Sequence, residues 1–171
     1  MYRFGYRRVA NKAIGSRIDG AFTGSTVDIL RWASCKWGID QDVVFAQAVR
    51  ESAWQQSKLG DLTSNFAWCP RSAGVLQGKC AESYGIVQNK WRWEKSAWPG
   101  LRSSTAMNVD TAYGIWRACF DGYWRPHPGY HAGDLWGCIG KWYAGNWYSA
   151  AAKGYIARVR ATVAHRTWTT Y

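Results

Sequence analysis

The chain of 171 residues is 47% hydrophobic by the broad count and 19% charged, which suits one packed domain and excludes charge-driven disorder. With 18 Gly, only 4 Pro and no run of 18 apolar residues, it is no collagen, mucin stalk or membrane span. Net charge is +11, from 22 basic residues against 11 acidic ones, and 13 Trp, 10 Tyr and 5 Phe exceed what a small core needs.

Residues 1–24 read as an irregular basic arm, with Arg3, Arg7, Arg8, Lys12 and Arg17 against Asp19 alone, anchored by Tyr2, Phe4 and Tyr6. Ser25 or Thr26 then caps a helix running to about Trp37, whose inner face carries Ile29, Trp32, Ala33 and Trp37, with Gly38 as its stop. Cys35 lies in this helix and is expected as a buried thiol. Asp40 caps a second helix over 41–54 with Val44, Phe45, Ala48, Val49 and Ser52 as its stripe. Glu51 sits at the edge of that stripe, late in the helix, and not on the plain solvent face.

Residues 58–90 change character: Gly, Ser, Asn, Asp, Pro and Cys punctuate short apolar pieces, as in turns and a small irregular hairpin. A Trp-rich connection over 91–104 leads to a helix from Asn108, as its cap, to about Cys119. The stretch 121–131 reads as a loop. A helix over 132–143 carries Gly133, Gly137 and Gly140 on one side, which allows a close neighbour. The last helix, over 149–164, has Ala152, Tyr155, Ile156, Val159 and Val163 as its stripe. The outline is α+β, mostly helical, with one small irregular lobe.

Five cysteines without a CxxC knuckle point to an oxidising compartment and away from structural zinc. Cys69 with Cys80 and Cys119 with Cys138 are the first pairings to expect, while spacing leaves pairings through Cys35 open. His127, His131 and His165 form no HExxH, so neither a metal nor a cofactor is expected. No signal peptide is visible in residues 1–12; a secreted, periplasmic or wall-associated protein would have lost its leader or used another route. The basic ends suit a polyanion. Nucleic acid is disfavoured because the basic residues form no finger, RNP or basic-helix motif.

Several residues could serve cleavage of a glycosidic bond, which requires a carboxylic acid kept protonated near neutral pH. Glu51, at an apolar helix edge near Trp54, fits that demand through desolvation. Gly85 would let a sugar approach the backbone. Ser52, Gln88, Asn108 and Tyr143 offer hydrogen bonds, and Trp54, Trp68, Tyr84 and Trp93 offer flat faces for sugar rings.

These pieces resemble the lysozyme-like lytic transglycosylases, the group that includes goose-type lysozymes. Glu51-Ser52 with Trp54 is similar to their Glu-Ser-x-aromatic motif, and Ser83-x-Gly85-Ile86-Val87-Gln88 to their Gly-Leu-Met-Gln segment. Asn108-Val109 resembles their Asn-Ile. Trp142-Tyr143-Ala144-Gly145 and Gly154-Tyr155-Ile156-Ala157-Arg158-Val159 resemble their Ala-Tyr-Asn-Ala-Gly and distal Tyr-Val-x-Lys-Val pieces. The order agrees over residues 25–163, as for a divergent member.

The resemblance implies a single lysozyme-like catalytic domain over 25–171 and cleavage between N-acetylmuramic acid and N-acetylglucosamine in peptidoglycan. Glu51 would be general acid and then base, Gly85 and Gln88 would line subsites, and Tyr143, or alternatively Tyr113, would position Glu51. The substrate 6-hydroxyl would attack, giving a 1,6-anhydromuramic end. A hydrolytic muramidase or chitinase would add a second carboxylate, for which Asp61 leads and Asp110 follows. A noncatalytic glycan-binding module, and a cationic protein acting on membranes or nucleic acid, are the readings from other classes. The expected form is a monomer without a transmembrane segment.

Overall fold

The computed structural model describes residues 8–123 and 129–170, so the expected anchors Tyr2, Phe4 and Tyr6, and also His127, lie outside the described residues. Helix α1 (Arg8–Ala13) and a 3-10 turn at Gly15–Arg17 occupy part of the segment expected as an irregular arm. The correction has a simple cause: Ala10, Ile14 and Ile18 are spaced by four and all enter the core.

Helix α2 (Thr26–Trp37) starts at a reciprocal cap, in which Ser25 Oγ accepts from Asp28 N–H and Asp28 accepts from Ser25 N–H. It ends at Gly38 in the left-handed region. Leu30, Ala33, Ser34 and Trp37 face inward, whereas Cys35 falls on the outer face and is an exposed free thiol, not a buried one. Helix α3 (Gln41–Ser52) follows its Asp40 cap and stops two residues short of expectation, because Ala53 and Trp54 both take positive φ. Glu51 therefore stands in its last turn.

Three strands make the lobe: β1 (Leu59–Thr63), β2 (Cys80–Tyr84) and β3 (Asn89–Lys90), antiparallel in the order β1-β2-β3. Leu59 faces Tyr84 and Thr63 faces Cys80 in register, and Ser83 faces Lys90. The Cys69–Cys80 disulfide closes the loop between β1 and β2, and Cys119–Cys138 joins the ends of two later helices. Both pairings agree with the sequence reading.

Short helix α4 (Gly100–Ser103) leads into α5 (Thr105–Phe120), the axis of the molecule. Its cap is Ser104, whose Oγ accepts from Met107 N–H, and not Asn108. Asn108 lies one turn in, fully buried. Helix α6 (Leu135–Ala144) starts at an Asp134 cap, three residues later than expected, because Gly133 takes φ +87° and lies outside it; Ser149 caps α7 (Ala150–His165). Helix α2 packs on α5, α3 on α7, and α6 on both α5 and α7. Gly140 permits the last approach: a methyl group there would meet Ala152 Cβ and Ile156 Cδ1 at 3.0 Å.

The core runs along α5 through Val109, Ala112, Tyr113 and Trp116, with Leu30, Val44, Ile139 and Val159 from its neighbours. Each fully buried aliphatic there contributes roughly 1.5–3 kcal/mol. No helix among the described residues is long and apolar enough to cross a membrane.

Candidate active site

Helix α3, the β lobe and α6 enclose an open cleft of about 1050 Å³. Glu51 reaches it from α3, Asp61 from β1, Gln88 from the turn before β3, Trp93 from beyond β3, and Trp142 and Tyr143 from α6. Glu51 is partly exposed at this surface while its carboxyl is enclosed by protein.

Burial pushes the Glu51 carboxyl up to about 7, against the lowering effect of the Tyr155 hydroxyl, and the negative charge of Asp61 raises it further. Gln47 and the Trp142 indole weakly favour the charged form. Tyr155 donates its hydroxyl to Glu51 Oε1. Its own ionisation is displaced well above the ordinary phenol range by desolvation and by the charge of Glu51, so it remains a donor. Tyr143, exposed on the cleft rim, lies flat on Tyr155 with ring centroids 4.5 Å apart. Behind them, Tyr113 donates to Gln47 Oε1 at 2.7 Å and to Val44 O at 3.2 Å.

The positioning hydroxyl is thus Tyr155, and neither Tyr143 nor Tyr113. Its place on the apolar stripe of α7 concealed it, since one tyrosine can use its ring for the core and its hydroxyl for a buried carboxyl. The only sequence signal was its position in the distal Tyr-Ile-Ala-Arg-Val piece. Tyr155→Phe is expected to make Glu51 about tenfold weaker as an acid, because a hydrogen bond to its charged form is lost. A carboxyl-carbon NMR titration measures this directly.

Asp61 behaves oppositely. Although desolvation raises it, the Ser83 hydroxyl at 2.6 Å and Lys90 Nζ at 3.1 Å bring its carboxyl below the usual value. Two carboxyls on one cleft are therefore displaced in opposite directions, Glu51 toward the protonated and Asp61 toward the ionised form. Gln88 lines the cleft with its Nε2 tied to Gly85 O at 2.8 Å. It lies over Gly60, where a methyl group would come within 2.0 Å of Gln88 Oε1. Gly60 was not singled out from sequence. Trp93 is exposed on the cleft, and Trp68 stands beside it through Arg92, whose guanidinium covers both rings at 4.4 and 4.2 Å.

Five expected substrate contacts, and Tyr113, lie elsewhere. Ser52 is buried and donates to Ile86 O at 2.8 Å, fastening the end of α3 to the turn after β2. Trp54 does not line the cleft; it donates to Phe45 O and packs edge-on against the Phe45 ring. Tyr84 is a core side chain bonded to Ala81 O and packed on Trp98. Tyr113 is wholly buried.

Asn108 spends its amide on backbone, donating to Tyr84 O and Leu101 O and accepting from Val87 N–H. Gly85 exists for this junction and not for a sugar. Its φ is +82°, and a methyl group would lie 2.2 Å from Asn108 Nδ2 and 2.9 Å from Leu101 O. Gly85→Ala is expected to cost about 3 kcal/mol from left-handed strain and overpacking; the urea midpoint would report it.

Asp110 lies outside the cleft as well. Its Oδ2 accepts from Asp19 N–H, Gly20 N–H and Lys36 Nζ, each at 2.9 Å, and Oδ1 accepts from the Trp37 indole at 2.8 Å. It pins the α1 segment to α2 and α5.

No family model matches this chain, and neither a curated protein nor a solved structure matches it with significance.

Proposed function

We propose that the protein cleaves the β-1,4 bond between N-acetylmuramic acid and N-acetylglucosamine in peptidoglycan, in a divergent lysozyme-like fold, with Glu51 as the acid and then the base. One observation carries the reading: a carboxyl with its pKa near 7, bonded to Tyr155, opens onto a large aromatic-rimmed cleft. At neutral pH such a group is about half protonated. It can give a proton to the leaving glycosidic oxygen and take one back in the next step. Tyr155 steadies the carboxylate between the two steps. Trp93 and Tyr143 supply exposed faces for sugar rings, and the two disulfides suit an oxidising, extracytoplasmic setting.

In the non-hydrolytic route the sugar's own 6-hydroxyl attacks, and the product ends are anhydro sugars. Asp61 supports a second reading, hydrolysis, because it is an ionised carboxylate on the same cleft and could hold the attacking water. Mass spectrometry of soluble products from purified peptidoglycan separates the two. Ends lighter by one water indicate transglycosylation, and reducing ends indicate hydrolysis. Release of neither product by the native chain would refute the enzyme reading and favour a glycan-binding module.

A further inference from the structure

The loop between β1 and β2 carries apolar surface that the cleft does not use. Val75 and Leu76 are 62% and 55% exposed, and Leu62, Phe66 and Trp68 are exposed on the same lobe. This surface is presented by a defined turn. Leu76 N–H donates to Lys79 O at 2.8 Å and Lys79 N–H to Leu76 O at 3.0 Å, across Gln77 and Gly78, both with positive φ. That is a tight two-residue hairpin, and the Cys69–Cys80 disulfide closes its base. Adjacent aliphatic side chains held out to water on an ordered, disulfide-closed turn are the kind of surface that a partner covers.

The charge around the tip identifies the partner's chemistry. Between Leu62 and Ala81 there is no acidic residue, while Arg71 and Lys79 flank the apolar tip. The bounding acids are occupied elsewhere: Asp61 is held by Ser83 and Lys90, and Glu82 is buried. Arg92 adds a cation stacked between Trp68 and Trp93, and the whole chain carries +11. Aliphatic and indole side chains interleaved with Arg and Lys match a surface with an apolar interior and an anionic rim.

We propose that this lobe tip docks onto an anionic phospholipid bilayer, with Val75 and Leu76 entering the acyl boundary and Arg71 and Lys79 at the headgroups. The attachment would be peripheral and reversible, since two aliphatic side chains and a few cations provide only modest binding.

The test is co-sedimentation of the full chain with vesicles of phosphatidylcholine containing about one quarter phosphatidylglycerol, at about 0.1 M salt, against phosphatidylcholine alone. The native chain should prefer the anionic vesicles. V75N/L76N keeps the net charge and should bind them about tenfold more weakly. A157E/A161E lowers the net charge by two on the exposed face of α7 and leaves the tip intact; it should retain most of the binding. Native-like binding by V75N/L76N would overturn the proposal in favour of diffuse electrostatics. No preference for anionic vesicles would overturn it in favour of a protein partner. Circular dichroism checks the fold of each variant, and V75S is the milder substitute should the double variant misfold. The vesicles contain no glycan, so the result is independent of the proposed cleavage.

Discussion

Glu51→Gln is expected to reduce release of soluble fragments from peptidoglycan by about 10²- to 10⁴-fold, the usual contribution of a positioned general acid. It is also expected to make the protein more stable at pH 8. The carboxyl titrates at about 7 when folded, above its ordinary value of 4.5. Below the lower value both folded and unfolded chains hold the proton, and no penalty exists. Between the two the unfolded chain releases its proton first, so stability falls with rising pH. Above the higher value the loss is constant, at most about 3 kcal/mol. Glutamine cannot ionise, so the variant's gain should be largest at pH 8 and vanish near pH 4. Urea denaturation at the two pH values measures it, and a variant no more stable at pH 8 would contradict the burial argument. Native activity should decline as pH rises through 7, because the acid form of Glu51 is lost.

Asp110→Ala is expected to be the most damaging single change to stability, about 3–5 kcal/mol. Asp110 is fully buried and accepts four hydrogen bonds, one from Lys36, whose side chain is only 15% exposed. Removing the carboxylate leaves that ammonium with the half-exposed Asp19 as its remaining ion-pair partner, and orphans the Trp37 indole and two backbone N–H groups. A typical domain has only about 5–15 kcal/mol in total, so thermal unfolding should shift by many degrees. Adding Lys36→Met should restore part of the loss, since the unpaired charge accounts for much of the cost. A double variant no better than the single one would assign the cost to the indole and backbone groups instead.

The local signals were strong where one residue acts on its immediate neighbours. Ser25 and Asp40 cap their helices as expected, because a short polar side chain satisfies N–H groups two or three residues ahead; Asp134 and Ser149 do the same at starts that the sequence places up to three residues early. The Cys69–Cys80 and Cys119–Cys138 bridges are the pairings expected first, although spacing leaves pairings through Cys35 open. Exposure of Cys35 did not, because a helical pattern places a residue on a face without showing whether another element covers it. Helix α1 was hidden by its charges, although Ala10, Ile14 and Ile18 already carried a four-residue period.

The site divides in the same way. Sequence alone brought forward Glu51, with its awkward place at the edge of an apolar stripe, and it also brought forward Asp61, Gln88 and Trp93, which the cleft gathers. It gave the same standing to Tyr84, Asn108 and Gly85, which serve one buried junction between the lobe and α5. Polar and aromatic residues look alike in a sequence whether they face a ligand or another part of the chain. Only packing decides which carbonyl or carboxyl lies within three ångströms. What the sequence by itself determined was the helical framework, the bridged lobe and the candidate acid. What the tertiary structure alone decided was the environment of that acid. Tyr155 lies 104 residues from Glu51, and desolvation and hydrogen bonding depend on distance through space.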